Sequence, residues 1–295
     1  MRCGEHRMNC RCLCSSKRKL FCYFCRVSIT GFLRGYRTRV ALSYYRYRAQ
    51  RSVLTPQVKR SDWDRSLSDP TAFYPECFRY FHRVMPEEFR EHRKYFRTGK
   101  GHPRGFGEDA FHALWKLLLD EFRPRNFLEI GIFRGQVISL VALWSRLAGV
   151  QCEVHGISPF SPAGDSVSKY PELDYYADTL ANFDHFGLPH PHLLRAYSTD
   201  AKALELISSK QWEMIYIDGN HEYEVVKQDW EACSRNLRTG GVVVLDDSGL
   251  STSFVPPVFA SKGHPGPSRI AQQIDRKQFR EILQVGHNRA FQRLG

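Results

Sequence analysis

The sequence predicts an α/β protein with a doubly wound, mostly parallel sheet of seven strands. Short, almost wholly apolar strands alternate with amphipathic helices along the second half of the chain. This alternation is typical of a parallel sheet that is covered on both faces. Right-handed crossovers between successive strands then give the doubly wound arrangement. Two final strands joined by the dipeptide "HN" predict an antiparallel hairpin at the C-terminal end.

The elements follow one another from a first helix, which begins at Glu108 or Asp109 and ends before Pro124. Its apolar positions 111, 114, 115, 118 and 122 form one face. The predicted strands lie at 126–132, 152–158, 192–198, 212–219, 242–247, 281–286 and 289–294. The predicted helices between them lie at 135–149, 175–187, 200–209, 222–237 and 268–279.

The segment 1–60 differs in composition from the rest of the chain. It contains 15 lysines and arginines against one acid, Glu5, whereas the rest of the chain contains 28 basic and 30 acidic groups. We expect residues 1–60 to be a disordered basic leader, which can bind nucleic acid or acidic lipid through charge alone but has no base-reading module. Six cysteines lie in this segment, and a zinc site is the alternative: Cys3, Cys10, Cys12, Cys14, Cys22, Cys25.

Residues 61–104 form the second predicted segment, a helical extension rich in aromatic and charged residues, and residues 105–295 form the main domain. Only three cysteines lie beyond the leader, which fits a reducing compartment, and we expect a cytoplasmic protein. No apolar run is long enough to span a bilayer; the best candidate is interrupted by Arg26. The sequence leaves open whether the protein is a homo-oligomer.

Polar residues lie at the carboxyl ends of the predicted strands, where doubly wound sheets bind ligands. Glu129 is inside the first strand, and Gly131 and Gly135 follow it. An acid in an apolar strand is costly unless it accepts hydrogen bonds. The glycines would let the backbone approach a ligand, although a tight turn alone would use them equally well. The G-x-G-x-x-G spacing of dinucleotide-binding folds is absent.

Three aspartates end the next two strands of the predicted sheet. Asp218 ends the fourth strand in "IYIDGNHE", and Asp246 and Asp247 end the fifth in "VVVLDD". Adjacent parallel strands lie about 4.8 Å apart, so these carboxylates can converge. Oxygen ligands suit Mg²⁺ or a similar hard cation better than zinc. The alternative is that the aspartate pair only ends a strand and caps the following turn.

The stretches "FLEIGIFRGQ", "IDGNH" and "LRTGGVVVLDD", in this order and spacing, resemble the class I S-adenosylmethionine-dependent methyltransferases. More narrowly, they resemble the branch with macrocin-type and other sugar O-methyltransferases and cephalosporin-hydroxylase-like proteins. The resemblance covers roughly residues 105–295. It implies a Rossmann-like methyltransferase fold, S-adenosylmethionine as cofactor, and Glu129, Gly131, Gly135 and Asp218 as cofactor contacts.

The same resemblance implies that Asp218, Asp246 and Asp247 hold a divalent metal and that His221 is the catalytic base, with Asp218 as the second catalytic residue. A bound metal lowers the pKa of a substrate hydroxyl, and a histidine that titrates near neutrality removes its proton. The oxygen then attacks the activated methyl group in line. The alternative for His221 is a helix-start residue that hydrogen-bonds the backbone.

One position departs from the family pattern. The family usually has an acid at the end of the second strand, which binds the ribose hydroxyls, whereas this chain has Ser158. Serine offers a weaker contact than a charged bidentate one. Asp200, after the third strand, is a candidate for the adenine end of the site, or else an N-cap of the helix that it begins. His264 and His287 are expected near the cleft mouth.

We therefore expect a metal-assisted O-methyltransferase that acts on a hydroxyl of a sugar, a glycan precursor or a secondary metabolite. The identity of the methyl acceptor is beyond what the sequence tells. One alternative is a nicotinamide-dependent Rossmann oxidoreductase, against which the missing G-x-G-x-x-G motif and the fifth-strand aspartates argue. Another is a non-catalytic binding protein that uses its basic leader.

Overall fold

The computed structural model describes residues 35–98, 104–162 and 169–295. The chain forms two compact units, Met1–Tyr45 and Arg46–Gly295. In the first unit the described residues, 35–45, are helical; in the second unit, residues 46–51 are helical. The cysteine-rich part of the predicted leader lies outside the described residues. No helix in the described part of the chain is long and apolar enough to cross a membrane.

The second unit continues with three short helices that follow a 3₁₀ turn at Arg60–Asp62: α1 (Trp63–Ser68), α2 (Pro70–Arg83) and α3 (Glu87–Arg97). The start of α2 shows how the sequence sets these elements. Pro70 occupies the first helical position, where its missing N–H is not needed, and the Asp69 side chain accepts a hydrogen bond of 3.0 Å from the Ala72 backbone. The side chains of Phe73, Phe78 and Phe81 in α2 are buried.

The sequence predicts that the leader ends at residue 60, but some residues before position 60 are packed inside this unit. Ala49 and Val58, which the sequence places in a disordered leader, are only 4% and 2% exposed. Arg46 forms an ion pair of 2.7 Å with the buried carboxylate of Asp109. Arg46, Ala49 and Val58 therefore pack within this unit, whereas Val53 and Leu54 between them are exposed. The proposed leader stays a prediction for the residues before 35.

The predicted doubly wound sheet of seven strands is confirmed. Its order is β3-β2-β1-β4-β5-β7-β6, with β1 to β5 parallel and β7 antiparallel to both β5 and β6. The strands are β1 (Asn126–Ile130), β2 (Glu153–Ser158), β3 (His192–Arg195), β4 (Trp212–Ile217), β5 (Leu237–Leu245), β6 (Phe279–Val285) and β7 (Asn288–Arg293). The accompanying helices are α4 (Asp109–Phe122), α5 (Gln136–Ala148), α6 (Tyr175–His185), α7 (Ala201–Ser208), α8 (Tyr223–Arg235) and α9 (Pro265–Gln273).

The last two helices have bounds that differ from the prediction. The last helix begins at Pro265, because prolines fit the first turn of a helix, and it ends at Gln273 instead of 279. Ile274 leaves the helical region with a ψ of 125°, and the Asp275 carboxylate closes the next turn by accepting a hydrogen bond of 2.9 Å from the Lys277 backbone. The helix predicted to end at 237 ends at Arg235, since Leu237 already pairs with Trp212 in the sheet.

The strand register fixes where the polar strand ends meet. The strand order reverses between β1 and β4, the position at which doubly wound sheets bind ligands. Ile130 aligns with Ile217, and Ile217 aligns with Leu245. Because all three residues are buried, this register is fixed by the core and not by the polar residues that follow.

Candidate functional site

The residues that follow the aligned strand ends are Gly131, Asp218 and Asp246. The Asp218 backbone N–H donates to the Ile130 carbonyl oxygen at 2.8 Å, which joins two of the strand ends. Gly131 has a φ of 94°, and a Cβ added to it would lie 2.0 Å from the Asp218 carbonyl oxygen. A residue with a side chain would push the ends of β1 and β4 apart. Gly131 is therefore explained by the close approach of two loops, before any ligand is considered.

The carboxyl groups of Asp218 and Asp246 lie next to each other at the ends of β4 and β5, so each affects the ionisation of the other. Burial, followed by the charge of Asp246, raises the pKa of Asp218 well above its usual range. Burial and the charge of Asp247 raise the pKa of Asp246 as well. Two buried carboxylates in contact repel each other unless a proton or a cation lies between them.

Asp247 has a backbone conformation that L-residues rarely adopt, with a φ of 49°. Such a conformation costs roughly 1–3 kcal/mol and persists only where the surroundings impose it. Here the His264 backbone N–H donates to the Asp247 carbonyl oxygen at 2.8 Å, and Gly263 packs so closely on that carbonyl that a Cβ would lie 2.2 Å from its oxygen. The loop before α9 therefore holds Asp247 in place.

Three imidazole groups surround the Asp247 carboxylate. Its Oδ2 atom lies 3.1 Å from His221 Nε2 and 3.7 Å from His264 Nε2, and its Oδ1 atom lies 3.7 Å from His287 Nε2. Burial alone would raise the pKa of Asp247, but the hydrogen bond from His221 and the charges of the three histidines outweigh it and lower the pKa. Asp247 is therefore the ionised member of the aspartate group.

His221 lies between the end of β4 and the start of α8. The helix begins at Tyr223, and the local turn is closed by the Asn220 side chain, which accepts a hydrogen bond of 2.6 Å from the Glu222 backbone. The His221 ring stacks on the His264 ring, with centroids 4.1 Å apart and planes at 7°. The imidazole thus faces Asp247, which favours the predicted site role over a backbone-bonding role at the helix start.

Glu129 is buried in β1 with 4% of its surface exposed. It accepts a hydrogen bond from the Ile138 backbone in the first turn of α5, while its Oε2 atom has no hydrogen-bond partner among the described residues. Burial, with a further contribution from the Asp246 charge, raises the pKa of Glu129 to about 8. A buried oxygen without a partner among the described residues is open to a ligand group or to a water molecule.

The other predicted cofactor contacts have identifiable partners within the protein. Gly135 precedes α5 with a φ of 78°, and a Cβ there would lie 2.7 Å from the Thr179 side chain. The Ser158 hydroxyl donates to the Ile132 carbonyl oxygen at 2.9 Å, so only its lone pairs remain for a ribose hydroxyl. Asp200 accepts a hydrogen bond of 3.0 Å from the Tyr197 backbone; it stands before α7, but its side chain does not cap that helix.

These residues fit the two groups that the fold implies. The unpartnered oxygen of Glu129 and the positive-φ glycines at the end of β1 suit a cofactor with a cationic amino group. The aspartates fit a divalent cation, because a cation would offset the repulsion between neighbouring carboxylates. A cavity beside them is lined by the end of β4, the end of β5 and the start of α9, including Asp218, Asn220, His221, Asp246 and Pro267.

Two residues of this site were not assigned a role by the sequence. His264 and His287 were expected only near the cleft mouth, and the structure brings both rings to Asp247. The available signal for His287 was its position in the turn of the predicted hairpin. An antiparallel strand beside β5 returns that turn to the carboxyl end of β5, where the aspartates lie.

Residues 128–248 match the model of the family described as "Methyltransferase domain". A search of curated proteins gives no match. Among solved structures, the S-adenosylhomocysteine-bound methyltransferase PaMTH1 of Podospora anserina is similar to this chain at 14% identity and a TM-score of 0.51, over 73% of this chain and 93% of that one. Cofactor-bound Rv0187 from MTB is similar at 18% identity and a TM-score of 0.50, over 74% and 95%.

A Klebsiella pneumoniae protein described as a candidate O-methyltransferase is similar at 14% identity and a TM-score of 0.51, over 78% of this chain and 99% of that one. At these identities the three structures show a shared fold. Together with the family match, they confirm the resemblance to methyltransferases, whereas the narrower branch of sugar O-methyltransferases stays a prediction. Residues 128–248 therefore carry a methyltransferase domain, in a fold that the chain shares with cofactor-bound methyltransferase structures.

Proposed function

We propose that this domain transfers the methyl group of S-adenosylmethionine to a hydroxyl oxygen of a sugar, a glycan precursor or a secondary metabolite, with help from a divalent cation. The observation that carries the proposal is the meeting of Asp218, Asp246, Asp247 and His221 at the ends of β4 and β5, beside the switch point of the sheet. The likeness to a candidate O-methyltransferase from Klebsiella pneumoniae supports oxygen as the acceptor atom.

The cofactor half of the site lies at the end of β1. We assign the unpartnered Glu129 oxygen to the amino group of the cofactor, since a cation beside it would favour its ionised form. Gly131 and Gly135 have no side chains, so a ligand can approach the backbone closely at this position. We keep Ser158 and Asp200 as proposed contacts of the ribose and the adenine. When bound, S-adenosylmethionine supplies an electrophilic methyl group.

The acceptor half lies at the ends of β4 and β5. The His221 Nε2 atom is 3.1 Å from Asp247 Oδ2, and a hydrogen bond from this nitrogen to the carboxylate sets the tautomer in which Nδ1 carries the lone pair. His221 then removes the hydroxyl proton, and Asp247 stabilises the imidazolium that forms. Asp218, Asp246 and Asp247 would hold the cation, which when bound lowers the pKa of the acceptor hydroxyl.

We further propose that the protein works in the cytoplasm. Within the part of the chain that the structure describes, Cys77, Cys152 and Cys233 form no disulfide, and Cys77 and Cys233 are buried. Free thiols of this kind fit a reducing compartment. The basic segment before residue 35 stays a proposed accessory region, and a homo-oligomer stays an open proposal.

The test is a methyl-transfer assay with radiolabelled S-adenosylmethionine and a panel of sugar and phenolic hydroxyl compounds. Calorimetric titration with S-adenosylmethionine and, in parallel, with NAD establishes the cofactor first. We expect binding of S-adenosylmethionine alone, transfer of label to an acceptor oxygen, loss of transfer with a chelator and recovery with a divalent cation. Binding of NAD instead would overturn the methyltransferase proposal, and transfer unaffected by chelation would remove the cation from it.

A further inference from the structure

The turn between β6 and β7 is fixed against the aspartate group. Val285 pairs with Asn288, so that Gly286 and His287 form the tight turn between the strands, and Gly286 supplies a positive φ of 61°. The Ser248 backbone N–H, directly after Asp247, donates to the His287 carbonyl oxygen at 2.9 Å. The position of the His287 side chain is therefore set by the sheet and not by a mobile loop.

The His287 ring is held in one orientation. Only 11% of its side chain is exposed, and the Phe111 ring lies 4.7 Å from it. Its Nδ1 atom is 3.2 Å from the Ser261 carbonyl oxygen, which can only accept, so Nδ1 carries a proton. Its Nε2 atom therefore faces the aspartates. A metal-binding histidine has this arrangement, with one ring nitrogen donating to a backbone carbonyl and the other facing the metal.

The distance from His287 Nε2 to Asp246 Oδ1 is one that two ligands of the same cation have, and the distance to Asp247 Oδ1 is slightly longer. His287 Nε2 lies 3.4 Å from Asp246 Oδ1 and 3.7 Å from Asp247 Oδ1, and Asp246 Oδ1 has no hydrogen-bond partner among the described residues. Two ligand atoms bonded to one metal at about 2.1 Å, roughly 90–110° apart, stand about 3.0–3.4 Å from each other. The three atoms all lie within 4.8 Å of one another.

We propose that His287 is a nitrogen ligand of the cation, beside Asp246 and Asp247, and that the site takes a first-row transition cation such as Mn²⁺ or Co²⁺ in preference to Mg²⁺. An imidazole ligand favours these cations, whereas Mg²⁺ prefers oxygen ligands throughout. The inference deepens the proposed function and rests on it only for the role of the cation. It leaves His221 as the base, since His221 contacts the other oxygen of Asp247.

The experiment uses the full chain, freed of metal by dialysis against a chelator and titrated with Mn²⁺ or Mg²⁺. We expect Mn²⁺ to bind at least tenfold more tightly than Mg²⁺. Pulsed electron paramagnetic resonance of the Mn²⁺-bound protein should show coupling to a directly bonded ¹⁴N nucleus. In His287→Ala this coupling should disappear, and the Mn²⁺ affinity should fall at least tenfold.

His264→Ala and His221→Ala are the matched controls, because both rings also face Asp247. Each should retain the ¹⁴N coupling. His287→Gln, which keeps much of the side-chain volume, should lose the coupling while S-adenosylmethionine binding by calorimetry and the unfolding midpoint stay near those of the original chain. Absence of ¹⁴N coupling in the original chain, its retention in His287→Gln, or equal affinities for Mn²⁺ and Mg²⁺ would overturn the inference.

The result of this experiment can be told apart from the result of the methyl-transfer assay that tests the proposed function. Coupling that depends on His287 in a protein that transfers no methyl group would sustain the metal ligand and remove the proposed reaction. Methyl transfer in a protein without ¹⁴N coupling would support the proposed reaction and would contradict the proposal that His287 is a metal ligand. In the second case, His287 would be a protonated partner of Asp246 and Asp247, which is the alternative that the distances leave.

Discussion

Asp247 contacts more of the candidate site than either of the other two aspartates, and it does so from a strained backbone. One carboxylate oxygen faces His221 and His264, and the other faces the His287 ring. The left-handed φ turns the side chain away from the course of β5. The two oxygens of this carboxylate therefore have different surroundings. Oδ2 is placed to orient the proposed base His221, and Oδ1 is placed to bind the proposed cation.

We predict that His221→Ala abolishes methyl transfer while cofactor binding persists. General base catalysis contributes typically 10²–10⁴-fold, so the rate should fall by about that factor. Calorimetry should give an unchanged dissociation constant for S-adenosylmethionine, since Glu129 and the β1 glycines are untouched. His190→Ala is the matched control, because His190 is half exposed and pairs with the exposed Asp184. Full activity in His221→Ala would remove His221 as the base.

We predict that Glu129→Gln stabilises the protein at alkaline pH. The pKa of Glu129 is raised to about 8, so folding keeps this carboxyl protonated at pH values at which the unfolded chain ionises it. The stability of the original chain should therefore fall as pH rises from about 4.5 to 8, at no more than about 1.4 kcal/mol per pH unit.

Urea denaturation of both proteins across this pH range measures the effect. The gain in Glu129→Gln should be absent near pH 4.5 and grow to a few kcal/mol by pH 8. Glu205→Gln, at an exposed position of α7, is the matched control and should show no such trend. A gain that is equal at pH 4.5 and pH 8 would mean that Glu129 is not protonated in the folded state.

The residues of this site differ in how far the sequence could predict them. The three aspartates and His221 follow apolar strands directly, so their convergence followed from the strand positions and the expected strand order. His287 could not be assigned because its neighbours Asp246 and Asp247 lie far earlier in the chain, and only the pairing of β5 with β7 brings them together. The hydroxyl of Ser158 donates to a carbonyl of the β1 loop, a contact that no local pattern shows.

At the scale of elements, the approach of β1 and β4 sets the geometry of the site. Gly131 allows the loop after β1 to touch the Asp218 carbonyl, and Gly263 allows the loop before α9 to touch the Asp247 carbonyl. Both contacts are backbone against backbone, so the sheet edge has no spare space to absorb a side chain. The alternation of strands and helices was predicted correctly, whereas the helix ends depended on Pro265 and on Leu237, whose strand partner is distant in sequence.

We predict that Gly131→Ala destabilises the fold more than Gly149→Ala does. Both glycines have positive φ, which costs an alanine roughly 1–2 kcal/mol. At Gly149, however, nothing lies within 4 Å of the added Cβ, whereas at Gly131 the Asp218 carbonyl lies 2.0 Å away. The clash should add about 1–3 kcal/mol, measured by urea denaturation. Equal losses would mean that the two loops separate without cost.

At the scale of the whole molecule, a buried ionic cluster joins α2 and α3 to the main domain. The Asp109 side chain is fully buried at the start of α4 and contacts Arg46 at 2.7 Å, His82 at 3.1 Å and Arg93 at 3.1 Å. Burial would raise the pKa of Asp109, but the hydrogen bonds from His82 and Arg46 and the charge of Arg93 outweigh it and lower the pKa.

We predict that Asp109→Asn lowers the free energy of unfolding by about 3–5 kcal/mol at pH 7, because it leaves buried positive charges without a partner. Since the pKa of Asp109 is lowered on folding, the stabilisation is present above about pH 4 and declines as pH falls below it. The difference in the free energy of unfolding between the original chain and Asp109→Asn should therefore become smaller as pH falls below about 4. Asp64→Asn, at an exposed position of α1, is the control and should change stability by less than about 0.5 kcal/mol. A loss in Asp109→Asn as small as that of the control would remove the cluster as a stabilising element.

The sequence could predict the class of the whole molecule but not this cluster. The division of charge between the segment 1–60 and the rest of the chain suggested that the leader is independent of the domain. Arg46 contradicts a boundary at residue 60, because the arginine with a buried partner is indistinguishable by composition from its exposed neighbours. Only the three-dimensional position of Asp109 separates them.

The place of β7 between β5 and β6 has a consequence for the order in which the protein forms during synthesis. β5 pairs on one side with β4 and on the other with β7, which follows it in the chain only after α9 and β6. Until β7 has left the ribosome, β5 has an open edge of unpaired backbone groups, which is a template for wrong pairing. A nascent chain can therefore complete the end of β1 first, while the proposed cation site, which includes His287 of the returning hairpin, is assembled last.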